Sequence, residues 1–89
     1  MKSVELSDQG VEYVRGLPPV PNKRIRAALK SLAKIEGDLM DLEHPLDGYC
    51  RLRVYQFRII LKIHQKKIDC IFIERKSLVY EVFEANYLR

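Results

Sequence analysis

The chain has 89 residues, 47% of them hydrophobic and 31% charged, with 16 Lys/Arg against 12 Asp/Glu and a formal net charge of +4. That size suits one domain around a single core, and the composition excludes a disordered tail. No apolar run approaches the ~20 residues of a membrane-spanning helix, and MKSVELSDQG at the start has neither the apolar segment nor the cleavage motif of a signal peptide, so a cytoplasmic protein with no membrane partner is expected.

In chain order, residues 2–6 (KSVEL) alternate polar and apolar, as a short strand does. Ser7 can cap a helix that has Asp8 in its first turn and Val11 and Val14 on a buried edge, and GLPP ends it. Pro21 suits the start of a second helix, which carries Ile25, Ala28, Leu29, Leu32, Ile35 and Leu39 at three- and four-residue spacing. EHPLDG breaks the helical period, and a loop is expected to about Gly48.

Beyond Gly48 the period becomes two. Tyr49, Arg51, Arg53 and Tyr55 alternate with Cys50, Leu52 and Val54; after a turn near Gln56, Arg58, Ile60, Lys62 and His64 alternate with Phe57, Ile59, Leu61 and Ile63. QKK makes a second turn into IDCIFIER, apolar on both faces like a central strand, and LVYEVFEANYL closes the chain as a short helix or strand. The order β-α-α-β-β-β predicts an α+β domain spanning residues 1–89, with two N-terminal helices on one face of a mostly antiparallel four-stranded sheet. The helices should cover Cys50, Leu52, Val54, Phe57, Ile59, Leu61, Cys70 and Phe72. The opposite face should then present Arg51, Arg53, Arg58 and Lys62, with Arg75 at the end of the neighbouring strand.

The two cysteines, Cys50 and Cys70, lack the spacing of a zinc site or a disulfide framework and read as buried free thiols. Charge is distributed unevenly. Residues 1–47 sum to −1 and residues 77–89 to −1, whereas residues 48–76 carry eight cations against Asp69 and Glu74, a local +6. Clustered cations repel one another, which favours an anionic partner such as nucleic acid or an acidic protein. Arginine strengthens the inference, because its planar guanidinium holds phosphate in bidentate geometry. A basic but merely solvated sheet face is the alternative.

Through GYCRLRVYQFRIILKI, the strand IFIER, and the tyrosine that follows in ERKSLVYE, the chain resembles the RelE/ParE superfamily of bacterial toxins from type II toxin-antitoxin pairs. The resemblance covers nearly the whole chain and implies the same order of elements. RelE-like members are ribosome-dependent endoribonucleases that cut messenger RNA without a metal or other cofactor. The ribose 2′-hydroxyl attacks the adjacent phosphate, leaving a cyclic phosphate and a 5′-hydroxyl.

Carried onto this chain, the resemblance assigns Arg58 and Arg75 to the phosphate and Tyr80 to orienting the nucleotide or its hydroxyl. Arg51, Arg53 and Lys62 bind the RNA backbone. Arginines stand where RelE-type enzymes have lysines on the first of these strands, and guanidinium stays protonated, so the general base is left open; Lys62 and His64 share the predicted face. Tyr80 can equally pack its ring into the core and leave only its hydroxyl at the surface. The resemblance also implies an antitoxin encoded by an adjacent gene, bound in a hetero-oligomer, besides the ribosome and messenger RNA. Two other activities fit the same fold: a ParE-like inhibitor of DNA gyrase, and an inactive relative that only binds its antitoxin.

Overall fold

The computed structural model describes residues Met1–Leu88. Strand β1 (Ser3–Leu6) leads into helix α1 (Asp8–Arg15), then helix α2 (Pro19–Leu32), strands β2 (Asp38–Asp41), β3 (Cys50–Val54), β4 (Phe57–Ile63) and β5 (Lys67–Arg75), and helix α3 (Val79–Tyr87). One five-stranded sheet has the order β1-β5-β4-β3-β2, antiparallel except where β1 runs parallel to β5. The α+β class and the order of the expected elements hold. A fifth strand, β2, is added, and the closing segment is a helix.

Local chemistry explains the boundaries. The Ser7 hydroxyl accepts the Gly10 N–H at 3.1 Å to cap α1, and donates to the Ile71 carbonyl at 2.7 Å, so the cap also ties α1 to β5. Helix α2 starts at Pro19, two residues before Pro21, because a proline in the first turn sacrifices no helical hydrogen bond. It stops at Leu32 and does not run on to Leu39. Ile35 at φ 56° and Gly37 at φ 135° turn the chain, and a Cβ at Gly37 would lie 2.7 Å from Leu52 Cδ1. Leu39 therefore belongs to β2, opposite Leu52.

The sheet is covered on both sides. Helices α1 and α2 bury Leu52, Val54, Phe57, Ile59, Leu61, Ile68, Cys70 and Ile73 with their own Val14, Ile25 and Leu32. On the other side α3 and the segment before β3 enclose Leu46, Ile60, Phe72, Val79 and Phe83. Phe83 has no solvent exposure and sits among the rings of Tyr49 (5.3 Å), Phe72 (5.8 Å) and Tyr87 (4.7 Å).

Phe72 is thus a correction: it faces α3, away from α1 and α2. A β-bulge causes this. Leu61 pairs with Cys70 and Ile60 with Phe72, so Ile71 is the extra residue and the inward-outward alternation of β5 changes phase there. The thiols are both free. Cys70 is buried and Cys50 half-buried, and burial first, then a neighbouring carboxylate, pushes their pKa values to about 12 and about 11.

Candidate functional site

Arg53 and Arg58 stand directly opposite each other on β3 and β4, on the sheet face that α3 only partly covers. Arg51 lies two residues along β3, opposite buried Ile60. Three guanidiniums are therefore gathered at one end of that face.

Each is held differently. Arg51 is fixed most firmly: its Nη1 donates to the Asp38 carbonyl at 2.9 Å and to Asp38 Oδ1 at 3.2 Å, Nη2 lies 3.6 Å from Met40 Sδ, and its side chain is only 13% exposed. Arg58 folds back over the β3–β4 turn, donating Nη1 to the Tyr55 and Phe57 carbonyls at 2.8 and 2.9 Å. Arg53 is exposed and, among the described residues, makes no side-chain hydrogen bond or ion pair.

The electrostatics match this layout. The pKa of Arg58 is lowered, first by burial and then by the positive charges of Arg53 and Arg51, while Tyr80 and Asp38 act in the opposite sense. Glu74 stands opposite Arg58 on β5, yet its carboxylate accepts from the Tyr13 hydroxyl and from the Arg75 N–H, both at 2.9 Å. The carboxylate that could neutralise Arg58 is thus engaged elsewhere, and among the described residues Asp38 is the carboxylate that acts on the three cations. Unused guanidinium N–H groups around a net positive charge make an anion site suited to the planar oxygens of a phosphodiester.

The other expected residues are dispersed. Tyr80, in the first turn of α3, is half-buried at the edge of the second core. Lys62 lies roughly 13 Å further along β4, at ~3.3 Å per residue, with Nζ 4.7 Å from the Tyr49 ring centroid and Asp69 opposite it. His64 bonds Asp69 at 2.9 Å at that same far end. Arg75 leaves the outward face altogether. It pairs with Phe57, a residue of the helix-covered side, and its guanidinium carbon lies 5.8 Å from that ring's centroid.

Asp38 is the member of the cluster that the sequence did not reveal, because the strand carrying it reads as the end of a helix. Its signal was the glycine before it: Gly37 followed by DLMD fits a turn into an edge strand better than a further helical turn.

No protein-family model matches the chain, and no curated protein matches it in sequence. Solved structures do match its backbone. A chain of the archaeal RelE-RelB complex from Pyrococcus horikoshii OT3 superposes with a TM-score of 0.70 at 20% identity, covering 85% of this chain and 96% of that one. A chain of the RelB-RelE antitoxin-toxin complex from Methanococcus jannaschii gives 0.69 at 17% identity, covering 89% and 98%. The YoeB-YefM complex from Staphylococcus aureus gives 0.64 at 22% identity, covering 83% and 95%. With nearly the full length of each neighbour matched, the chain shares the fold of these RelE and YoeB structures.

Proposed function

We propose that this protein is the toxin of a type II toxin-antitoxin pair and that its arginine face cleaves messenger RNA on the ribosome. The supporting observation is the opposed pair Arg53 and Arg58, which with Arg51 outnumbers its nearby carboxylate, Asp38 opposite Arg53 on β2, because Glu74 is taken up by Tyr13. In this reading Arg58 and Arg53 contact the scissile phosphate and stabilise the charge that builds on its equatorial oxygens; Arg51, held by Asp38, contributes from beside them. Tyr80 orients the nucleotide, and Lys62 with Tyr49 holds the backbone further along the strand. Arg75, on the helix side of the strand end, acts on the RNA only by reaching around that end, and is assigned a flanking contact.

The 2′-oxygen forms its bond to phosphorus as the P–O5′ bond breaks, giving a 2′,3′-cyclic phosphate and a 5′-hydroxyl. The 2′-proton must go to a base and the departing 5′-oxygen must gain a proton. Asp38 is the carboxylate among the three guanidiniums and is assigned as the proton acceptor, which fills the role that arginines cannot take. An acidic antitoxin encoded beside this gene would neutralise the same face, folding as it binds.

Primer extension on transcripts from cells expressing the protein, with and without the product of the neighbouring gene, tests the proposal. New 5′ ends within coding regions that vanish when the neighbour is co-expressed are expected. Intact transcripts together with arrested DNA replication would replace it with a gyrase inhibitor.

A further inference from the structure

Beside the arginine cluster, at the start of β2, lies an open groove of about 410 Å³. Its floor is Ala28 of α2 with Leu52 and Val54 of β3; its rim includes Arg24, Arg53 and Tyr55. The floor lies on the α2 side of the sheet and the arginine cluster on the other; Arg53 and Asp38 belong both to this rim and to the cluster, so the two meet at the edge of the sheet.

Tyr55 is the unusual element. It occupies the tight β3–β4 turn at φ 55°, a left-handed conformation that such turns normally give to Gly, Asn or Asp. The residue is 61% exposed, and the Arg24 guanidinium carbon stands 3.9 Å from its ring centroid. The ring is thus braced by a stacked cation from α2 and not by core packing. A planar, pre-oriented aromatic surface above an apolar floor, next to a free guanidinium, has the elements of a nucleobase subsite: a π-face for stacking, apolar walls, and a cation for the attached phosphate.

We infer that this groove seats the base of a nucleotide flanking the phosphate held by Arg53 and Arg58, with Tyr55 as the stacking platform and Arg24 as its brace. The inference rests on the RNA reading above and extends it from a backbone contact to a base contact. A peptide segment of a protein partner is the competing occupant. The Arg53 shared by rim and cluster and the Tyr55–Arg24 stack favour the base.

The test is a methyl and amide NMR titration with a 2′-O-methylated dinucleotide, which cannot be cut, and with its counterparts lacking either base. The intact dinucleotide should shift the Ala28, Leu52 and Val54 methyl signals along with the Arg53 and Arg58 amides. Removal of one of the bases should leave the methyls unmoved and weaken binding roughly 5- to 100-fold. Tyr55→Asn, whose side chain tolerates the left-handed turn, should erase the difference between intact and abasic ligands, and Tyr55→Trp should restore it. Arginine amides that move while the groove methyls stay fixed would overturn the subsite and spare the phosphate face. Signals that do not move at all would overturn both. A dinucleotide seated in the groove beside intact cellular transcripts would sink the cleavage reading alone. If Tyr55→Asn weakens only the complex with the neighbouring gene's product, the groove is a protein-docking site and the inference is wrong.

Discussion

Arg53 and Arg58 face each other across β3 and β4, a like-charge pair with no carboxylate between them. Directly opposed like charges destabilise a sheet by roughly 0.2–1 kcal/mol. Arg53→Gln should therefore raise unfolding stability by about that amount at low salt, and by less at high salt, where screening already weakens the repulsion. The same substitution should impair toxicity. Urea unfolding at two ionic strengths beside a growth assay checks both; a variant that is less stable at low salt would show that the pair is not strained.

Arg58 is held by two carbonyls at the turn, whereas Arg75 lies on the other side of the sheet. Arg58→Ala should lose about 10²- to 10³-fold in cleavage, as expected for one preorganised donor. Arg75→Ala should lose much less, since it contributes at most a flanking contact. Circular dichroism should be unchanged in both. Equal losses would place Arg75 in direct contact with the phosphate.

Asp38 both anchors Arg51 and carries the proposed proton transfer. Asp38→Asn keeps the shape and the carbonyl hydrogen bond but removes the base, and should lower cleavage by about 10²- to 10⁴-fold. Single-turnover cleavage on ribosomes checks this. If Asp38→Asn loses no more than Arg51→Gln does, Asp38 is a positioning residue for Arg51 and not the proton acceptor.

Tyr13 is raised to a pKa of about 12, first by burial and then by its hydrogen bond to Glu74 and that carboxylate's negative charge, with Arg75 acting the other way. The folded state holds the phenolic proton more tightly than the unfolded chain does. Below pH 10 both states are protonated and the contribution is complete; between about 10 and about 12 the unfolded chain ionises first, so stability falls as pH rises. Tyr13→Phe should abolish that part of the alkaline decline. Because it also frees Glu74 to meet Arg58, the variant should be less toxic. Urea midpoints measured from pH 8 to 11.5 check the first expectation, and growth inhibition the second.

The period-two stretch from Tyr49 to His64 was legible because β3 and β4 obey strict alternation, which is why Arg51, Arg53 and Arg58 could be placed together from sequence. Helix α2 was legible from its apolar stripe, but the stripe continues by coincidence through Ile35 and Leu39, and only backbone geometry at Ile35 and Gly37 shows where the helix stops. Asp38 was lost with it. In β5 the alternation breaks at one residue: Ile71 carries no sequence mark of a bulge, yet it reverses the sides of Phe72 and Arg75. The Tyr55–Arg24 stack joins residues 31 positions apart, beyond the reach of any local pattern.

Strand β2 is the free margin of the sheet on that side, four residues long and bounded by Asp38 and Asp41, both exposed. An unpaired strand margin invites addition of further strands and growth into aggregates. A second copy aligning there would have to strip water from two carboxylates, and would meet like charge on like if it paired through the same strand. The brevity and acidity of this segment thus act as a guard against self-association, and replacing both aspartates by valine would be expected to increase association between copies.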